Sequence, residues 1–338
     1  MEIDVLIETW PLIRPFRITG HVYEDIEVVV VMLRDGEHVG RGEAAGVDYL
    51  GETPRQIFEQ VAALRETFAR GIDRTALQSI LPPGGARNAL DCALWDIESS
   101  QKGFPAWHRA GVETPLPRIT TWTIGAEAPD AVHERAQSYA DALALKLKLT
   151  GDGLDAERIR ALRSARPDVW LGVDGNQGFS RASLEALMPV LVEQRVALFE
   201  QPLPMTCDQD LDTLYSPIPL AADESVQDLS SIERLSPAYS IINIKLDKCG
   251  GLTEALAMVE ATRARGMGVM VGNMLGTSLA MAPAFIVGQF CDVVDLDGPV
   301  LLRNDRAPGA VFDKGTIFCP DGLWGGTQMA RQPLDHHN

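Results

Sequence analysis

Charged residues stand at the ends of short apolar segments along the middle of this chain, and they recur at nearly constant intervals. The segments are LALKLKL with Lys146 and Lys148, VWLGVDGN with Asp174, ALFEQP with Glu200, PLAADES with Asp223, and IINIKLD with Lys245. From Lys148 onward the charged positions are 22 to 26 residues apart, about the length of one strand, one helix and two short loops. The spacing predicts successive βα units that each carry a charge at the same place.

Three of these residues are acids, and they predict a metal site. Oxygen donors from neighbouring strands suit a hard cation such as Mg²⁺, with one ion per subunit. The predicted ligands are Asp174, Glu200 and Asp223. Glu224 adjoins Asp223 and is an alternative ligand; strand alternation directs only one of the two inward, and the register of the preceding residues favours Asp223.

The lysines on either side of these acids predict proton transfer. A proton on the carbon next to a carboxylate is weakly acidic, so its removal needs Mg²⁺ and a cation such as Lys146 to hold the developing enediolate. We expect burial and nearby positive charge to lower the lysine pKa values from about 10.4. Lys148 and Lys245 approach from opposite sides, so one removes the proton and the other returns it to the opposite face. The expected result is inversion at a carbon.

A second acidic pair, in the segment VVDLDGP, predicts a site for a substrate ammonium. Asp295 and Asp297 are two residues apart at the end of the last strand, and both face the mouth where the lysines lie. Without this context, Asp-x-Asp before Gly-Pro is more often turn chemistry.

The elements that position these residues begin near Ile119, where strands and helices alternate. The candidate strands are ITTWTIG, LALKLKL, VWLGVDG, VALFEQ, PLAADE, IINIKL, GVMVGN and VVDLD. Eight strands in about 190 residues fit a parallel α/β barrel better than a doubly wound sheet, since no Gly-x-Gly-x-x-Gly follows a strand. The carboxyl ends of barrel strands meet at one mouth, which brings the charged residues together.

The first 110 residues or so predict an α+β domain. Residues 1 to about 50 alternate like antiparallel strands, with a hairpin turn at Asp35-Gly36. Helices are predicted over about 53–70 and 86–101.

Composition excludes several classes of function. The net charge of −17 opposes binding to nucleic acid or to an anionic membrane. No run of about 18 apolar residues and no secretory signal is present, so we expect a cytoplasmic protein. The five scattered cysteines are typical of reduced thiols, not of a disulfide framework or a zinc site.

Taken together, these motifs resemble the enolase superfamily, in particular the dipeptide epimerases of the muconate-lactonizing subgroup that are related to L-Ala-D/L-Glu epimerase. The resemblance extends from ETWPLIRPF through ARNALDCALWD and NIKLDKCGGLTEAL to VDLDGP. It implies a modified (β/α)7β TIM-type barrel under an N-terminal α+β capping domain, Mg²⁺ at the three acids, and Lys148 and Lys245 as the acid/base catalysts. The predicted limits are 1–112 for the capping domain, 113–314 for the barrel, and 315–338 for a C-terminal segment that returns to the capping domain.

The family pattern also bears on the substrate. Asp295 and Asp297 match the pair that binds the amino terminus in dipeptide epimerases, which implies a small dipeptide inverted at its C-terminal residue. Tyr23 stands where relatives that act on Ala-Glu carry an arginine for the substrate's side-chain carboxylate, and its neighbours Glu24 and Asp25 are acidic. A hydrophobic, aromatic or cationic second residue is therefore also compatible with the sequence.

Three alternatives remain at this level. N-acylamino acid racemases and muconate-type cycloisomerases share the lysines and the acids but take substrates without a free ammonium. A non-catalytic binding protein on the same fold is the third alternative, and it is disfavoured because every ligand and both lysines are present. Symmetric oligomers are common among such enzymes, so a homo-oligomer is expected.

Overall fold

The computed structural model of the 338-residue chain describes residues 1–327. The predicted C-terminal segment is therefore described only in part, and residues 328–338 lie outside the described residues. The domain limits at residues 112 and 314 stay a prediction. No helix of residues 1–327 is long and apolar enough to cross a membrane.

The N-terminal part consists of an antiparallel sheet covered on one face by helices. Its strands, in the order β1-β2-β3, are β1 (Glu2–Ile18), β2 (His21–Asp35) and β3 (His38–Ala44). Its helices are α1 (Pro54–Ala63), α2 (Arg65–Ala69), α3 (Arg74–Ile80), α4 (Gly85–Lys102) and α5 (Ala106–Arg109), with a 3-10 turn over Asp48–Leu50. The predicted turn joins β2 to β3, where Gly36 has a φ of 60°; this prediction is confirmed.

Glycine allows α4 to lie directly on β3. A Cβ atom added to Gly42 would lie 2.0 Å from the carbonyl oxygen of Ala89, and one added to Gly40 would lie 2.1 Å from that of Ala93. Larger residues at these positions would force the helix away from the sheet.

Two helix predictions need correction. The single helix predicted over 53–70 is divided at Leu64, whose N–H bonds to the carbonyl of Val61, three residues back, and closes one turn tightly. Helix α3 was not predicted. Its start signal is Asp73, whose side chain accepts a hydrogen bond from the N–H of Ala76.

After a short strand, β4 (Arg118–Ile119), the chain forms eight parallel strands, and each of them contains part of a segment predicted from the sequence. They are β5 (Thr121–Ile124), β6 (Ala144–Lys148), β7 (Trp170–Asp174), β8 (Leu198–Glu200), β9 (Leu220–Ala222), β10 (Tyr239–Ile244), β11 (Gly268–Val271) and β12 (Val293–Val294). Their order in the sheet follows their order in the chain, from β5 to β12. The predicted parallel barrel is confirmed.

Helices on the outside connect the barrel strands. They are α6 (Pro129–Ser138), α7 (Asp155–Ala165), α8 (Arg181–Glu193), α9 (Leu246–Cys249), α10 (Leu252–Ala264) and α11 (Ser278–Gly288), and a further helix, α12 (Gly298–Leu301), follows the last barrel strand. The connections from β8 to β9 and from β9 to β10 contain 3-10 helices instead, over Met205–Leu211 and Leu229–Arg234. These compact connections account for the shorter intervals that precede Asp223 and Lys245 in the sequence.

Side chains join the first barrel strand to the last. The Thr121 hydroxyl donates a hydrogen bond to Asp295, and the backbone N–H of Thr123 donates one to Asp297 over 2.5 Å. The Thr120 hydroxyl accepts a hydrogen bond from the N–H of Leu296 at 2.9 Å. The predicted ammonium-binding aspartates therefore also join β5 to the segment that follows β12.

The last described residues pack on the N-terminal part. Strands β13 (Val311–Asp313) and β14 (Thr316–Phe318) form a small sheet with β4. Beyond it, the Trp324 indole donates to the carbonyl of Arg41, and the N–H of Gly325 donates to the carboxylate of Asp96. Trp324 and Gly325 thus contact the N-terminal part, while the limits of the C-terminal segment stay a prediction.

A buried aspartate of the N-terminal part caps a barrel helix. Asp91 on α4 is fully buried and accepts hydrogen bonds from the N–H and the hydroxyl of Thr253, at 2.9 and 2.6 Å. Thr253 lies in the first turn of α10, where Gly251, the residue before the helix, has no side chain to cap it. The two parts of the chain are thus joined through a helix terminus.

Replacing Asp91 with Ala should lower the free energy of unfolding by about 2–3 kcal/mol, because it removes a helix cap and leaves a buried donor unpaired. The measurement is urea unfolding followed by circular dichroism. Asp73→Ala is the matched control, since Asp73 caps its own helix at the surface and its loss should cost about 1 kcal/mol. Equal losses in the two variants would contradict the linking role of Asp91.

Candidate active site

Five consecutive strands carry the predicted charged residues, one group each, at the same end of the barrel. In sheet order, β6 carries Lys148, β7 carries Asp174 and β8 carries Glu200, and these three residues are paired in register. Asp223 follows β9, and Lys245 follows β10. Because β6 and β10 are four strands apart in an eight-stranded barrel, the two lysines lie on opposite sides of the mouth.

The three acids form one compact, buried group. Among the described residues, Asp174, Glu200 and Asp223 are each at most 1% exposed, and one carboxylate oxygen from each lies within 4.8 Å of the others. Oxygens around one Mg²⁺ ion are about 3.0–4.2 Å apart when the metal-oxygen distance is about 2.1 Å. The group therefore fits this ion with small movements. Glu224 is not in the group, so the structure favours Asp223 over its neighbour.

Lys146 links the acids to the far side of the barrel. Its ammonium lies 3.0 Å from Asp174, 2.7 Å from Glu200 and 2.8 Å from Asp295. Lys146, whose side chain is 4% exposed, therefore forms ion pairs with carboxylates of both the predicted metal site and the predicted ammonium site.

The other two lysines each contact one acid of the group. Lys148 Nζ lies 2.6 Å from Asp174 Oδ2, and Lys245 Nζ lies 2.7 Å from Asp223 Oδ2. Both lysines are less than a tenth exposed.

The lysine pKa values do not move in the predicted direction. Burial acts to lower the pKa of Lys245, but the negative charges of Asp223 and Glu200 outweigh it and raise the pKa above its ordinary value. Burial also acts to lower the pKa of Lys146, but the negative charges of Asp295 and Glu200 outweigh it and raise the pKa. Glu200 and Asp223, which act on these lysines, are also predicted Mg²⁺ ligands, so the expectation of lowered lysine pKa values stays a prediction for the protein with its metal bound.

The carboxyl groups respond to the same charges. Burial raises the pKa of Glu200 to about 7, with the charge of Asp174 acting in the same direction. Burial also acts on Asp174, but Lys148 and Lys146 outweigh it and lower its pKa to about 2. Burial raises the pKa of Glu224 to about 8, and the charge of Asp223 contributes. The site therefore holds more carboxylates than its lysines neutralise.

The predicted ammonium site is buried beside the lysines. Asp295 and Asp297 are 4% and 3% exposed. Burial and the charge of Asp295 raise the pKa of Asp297 to about 7, whereas Lys146 outweighs burial at Asp295 and lowers its pKa. Asp297 is thus the member of the pair that lacks a cation.

Three further polar residues hold the acids in place and were not predicted. Gln201 accepts hydrogen bonds from the N–H groups of Asp223 and Ser225, at 3.0 and 3.1 Å. Asn243 donates to Glu200 at 2.7 Å, and Lys248 donates to Asp223 at 2.6 Å. Only proximity in sequence signals them, since Gln201 follows Glu200 and Lys248 follows Lys245 by three residues.

Left-handed backbone also marks the ends of two acid-bearing strands. Asn176 and Gln177 follow β7 with φ values of 39° and 65°, and Gln201 follows β8 with a φ of 34°. Such conformations cost roughly 1–3 kcal/mol in residues other than glycine, and they concentrate at functional sites.

A cavity of about 620 Å³ lies above these residues and extends to the N-terminal part. Tyr23 lines it from β2, and the Tyr23 hydroxyl donates a hydrogen bond to Asp48 at 2.6 Å. Neither Arg14 nor Arg17 lines the cavity. The site therefore has a barrel wall that carries the lysines and a second wall from the N-terminal part.

Family models match almost all of the chain. The mandelate racemase/muconate lactonizing enzyme N-terminal domain matches residues 1–111, and the enolase C-terminal domain-like model matches residues 131–328. The chain belongs to the enolase superfamily. The predicted architecture, a barrel under an N-terminal capping domain, is the enolase-like fold.

Individual members of the superfamily are similar over their full length. The L-Ala-D/L-Glu epimerase of Escherichia coli strain K12 is 38% identical over 317 residues, which are 93% of this chain and 98% of that protein. A crystal structure of an enolase family member from Agrobacterium tumefaciens with homology to dipeptide epimerases, with bound sodium and L-Ala-L-Glu, is 37% identical with a TM-score of 0.93 and covers 96% of this chain and 99% of its own. The dipeptide epimerase of Methylococcus capsulatus, complexed with Mg and L-Arg-D-Lys, is 29% identical with a TM-score of 0.84 and covers 94% of this chain and 96% of its own.

Proposed function

We propose that this protein is a Mg²⁺-dependent dipeptide epimerase, an isomerase that inverts the α-carbon of the C-terminal residue of a dipeptide. The observation that carries the proposal is the placement of Lys148 and Lys245 on opposite sides of three buried carboxylates. The similarity to dipeptide epimerases over almost the whole chain supports the same activity.

Lys148 and Lys245 act as the two bases in this proposal. The α-carbon lies between them, so one lysine removes the α-proton and the other returns a proton to the opposite face. Lys146 holds the substrate carboxylate, where negative charge develops as the proton leaves. Proton return from the second side gives the inverted configuration.

Asp174, Glu200 and Asp223 would hold the Mg²⁺ ion. When bound, the ion would supply positive charge that stabilises these carboxylates and the negative charge that develops on the substrate. The same carboxylates hold the pKa values of Lys146 and Lys245 high.

The proposal is tested by α-deuteration. L-Ala-L-Xaa dipeptides are incubated with the protein and Mg²⁺ in D₂O, and ¹H NMR follows loss of the C-terminal α-hydrogen together with formation of the L,D diastereomer. The expected result is exchange with epimerisation for at least one dipeptide. Absence of exchange across a broad set of second residues would overturn the proposal.

Asp297→Asn should weaken use of a dipeptide with a free ammonium. Loss of a buried charge partner lowers kcat/KM by at least roughly 30-fold. In the native protein kcat/KM should rise as the pH increases through about 7, because Asp297 becomes charged there while the substrate ammonium, with a pKa of about 8, stays protonated. The variant should lose this rise in the pH profile.

An N-acetylated dipeptide is the control for Asp297→Asn, since it has no ammonium to bind. Equal losses for the free and the acetylated substrate would contradict ammonium binding. Unchanged kcat/KM for both would favour racemisation of N-acylated amino acids, the nearest alternative activity.

We also propose a cytoplasmic location and a homo-oligomer, with no nucleic-acid or membrane partner. The net charge of −17 supports the absence of polyanionic partners. Size-exclusion chromatography with light scattering measures the oligomeric state.

A further inference from the structure

Besides Asp297, which the proposed function assigns to the substrate ammonium, four carboxylates line the cavity without forming an ion pair to a described residue. They are Asp25, Glu27 and Asp48 from the N-terminal part and Glu224 from the barrel. Within residues 1–327 none of the four forms an ion pair, and the three lysines of the cavity lining pair with other acids. Of the arginines that the structure describes, none lines the cavity.

Glu224 points to a ligand independently of the other three. It is only 3% exposed, and its Oε2 atom has no hydrogen-bond partner among the described residues. Its other oxygen accepts a long hydrogen bond of 3.4 Å from Asn176. A buried carboxylate oxygen without a donor is unfavourable unless a ligand supplies the donor or a positive charge.

Hydrogen bonds of Gln227 connect the backbone of Glu224 with Tyr49, the residue after Asp48, across the two walls of the cavity. The Gln227 side chain donates to the carbonyl of Glu224 and, at 3.3 Å, to the hydroxyl of Tyr49. Tyr49 adjoins Asp48, which accepts from Tyr23. Since Glu224 follows β9 and Lys245 follows the neighbouring strand β10, this acidic wall lies on the Lys245 side of the cavity.

We infer that the residue to be epimerised carries a cationic side chain, that of lysine or arginine, and that Glu224 and Asp48 bind it. The inference rests on the proposed function, which assigns the substrate ammonium to Asp297 and the substrate carboxylate to Lys146. The second residue carries the α-carbon that lies between Lys148 and Lys245, so its side chain is the one next to the acidic wall on the Lys245 side. A glutamate side chain would instead bring a further negative charge to carboxylates that have no cation.

The size of the effect follows from Coulomb's law. At about 6 Å and an effective dielectric constant of about 40, each pair of unit charges changes affinity roughly tenfold. Two nearby carboxylates should therefore favour a cationic over a neutral side chain by roughly 100-fold, and should disfavour an anionic side chain by a similar factor.

A series of four dipeptides tests the charge preference at nearly constant shape. L-Ala-L-Lys is compared with L-Ala-L-norleucine, and L-Ala-L-Glu with L-Ala-L-Gln, by kcat/KM for epimerisation. The expected order places L-Ala-L-Lys roughly 10⁴-fold above L-Ala-L-Glu, with L-Ala-L-norleucine and L-Ala-L-Gln between them. A value for L-Ala-L-Glu equal to or above that for L-Ala-L-Lys would overturn the inference, as would equal values for lysine and norleucine.

Variants that each remove one charge show which carboxylates cause the preference for a cationic side chain. Asp48→Asn and Glu224→Gln should each reduce the lysine-to-norleucine ratio roughly tenfold. Glu193→Gln is the matched control, because it removes the same charge from a residue at the end of α8 that is 62% exposed and does not line the cavity, and it should leave the ratio unchanged. An equal reduction by Glu193→Gln, or no reduction by either cavity variant, would overturn the assignment.

The outcomes separate the inference from the proposed function. Exchange of the α-hydrogen in any of the four dipeptides supports the epimerase, whatever the order of preference. A reversed order among dipeptides that do exchange overturns only the cationic side chain.

Discussion

Lys148→Met and Lys245→Met should each lower epimerisation by at least about 10³-fold, because each removes one of two proton-transfer groups. Each variant should still exchange the α-hydrogen of the one diastereomer whose C–H bond faces the remaining lysine. The two variants should therefore exchange opposite diastereomers in D₂O. ¹H NMR of purified L,L and L,D dipeptides, incubated separately, measures this.

Lys102→Met is the matched control for the lysine variants. Lys102 lies on α4 with its side chain 59% exposed, so its replacement should change neither epimerisation nor exchange. If Lys148→Met and Lys245→Met exchanged the same diastereomer, the lysines would not act from opposite sides, and the two-base assignment would fail.

Removal of divalent metal should abolish both exchange and epimerisation, and Mg²⁺ should restore them. Metal binding also stabilises the folded state, by about 2.7 kcal/mol when its concentration is 100 times the Kd. For a chain of this size the midpoint of thermal unfolding should rise by roughly 5 °C on adding Mg²⁺. Differential scanning fluorimetry with and without a chelator measures this shift.

Asp223→Asn should lose the Mg²⁺-dependent shift together with activity, because Asp223 is one of three predicted ligands. Asp168→Asn is the control, since its carboxylate is 70% exposed at the surface, and it should keep both. Full activity after exhaustive chelation would contradict the metal assignment.

The barrel and the positions of its charged residues were predictable because each residue belongs to a strand that the sequence marks clearly. Lys148, Asp174 and Glu200 end three apolar segments, and parallel pairing in register brings them side by side. Regular spacing of residue type was therefore sufficient to predict their convergence.

Other features depend on contacts between distant residues, which spacing does not reveal. The contact of Lys248 with Asp223 arises from the turn after β10. The pKa of Lys245 depends on how near Asp223 and Glu200 lie, and the spacing of residues in the sequence does not give these distances. The break in the predicted helix at Leu64 has no proline or glycine next to it in the sequence that would predict it.

Asp295 has a structural role besides its predicted role in binding the substrate ammonium, because it lies where the first and last barrel strands meet. Its carboxylate accepts the Thr121 hydroxyl of the first strand and pairs with Lys146, whereas Asp297 contacts that strand through the backbone N–H of Thr123 and has no ion-pair partner among the described residues. A descendant of this protein that turned to substrates without an ammonium could therefore replace Asp297 more readily than Asp295. In such a lineage Asp295 would be retained after ammonium binding was lost, because its contact with Thr121 would still join the first and last barrel strands.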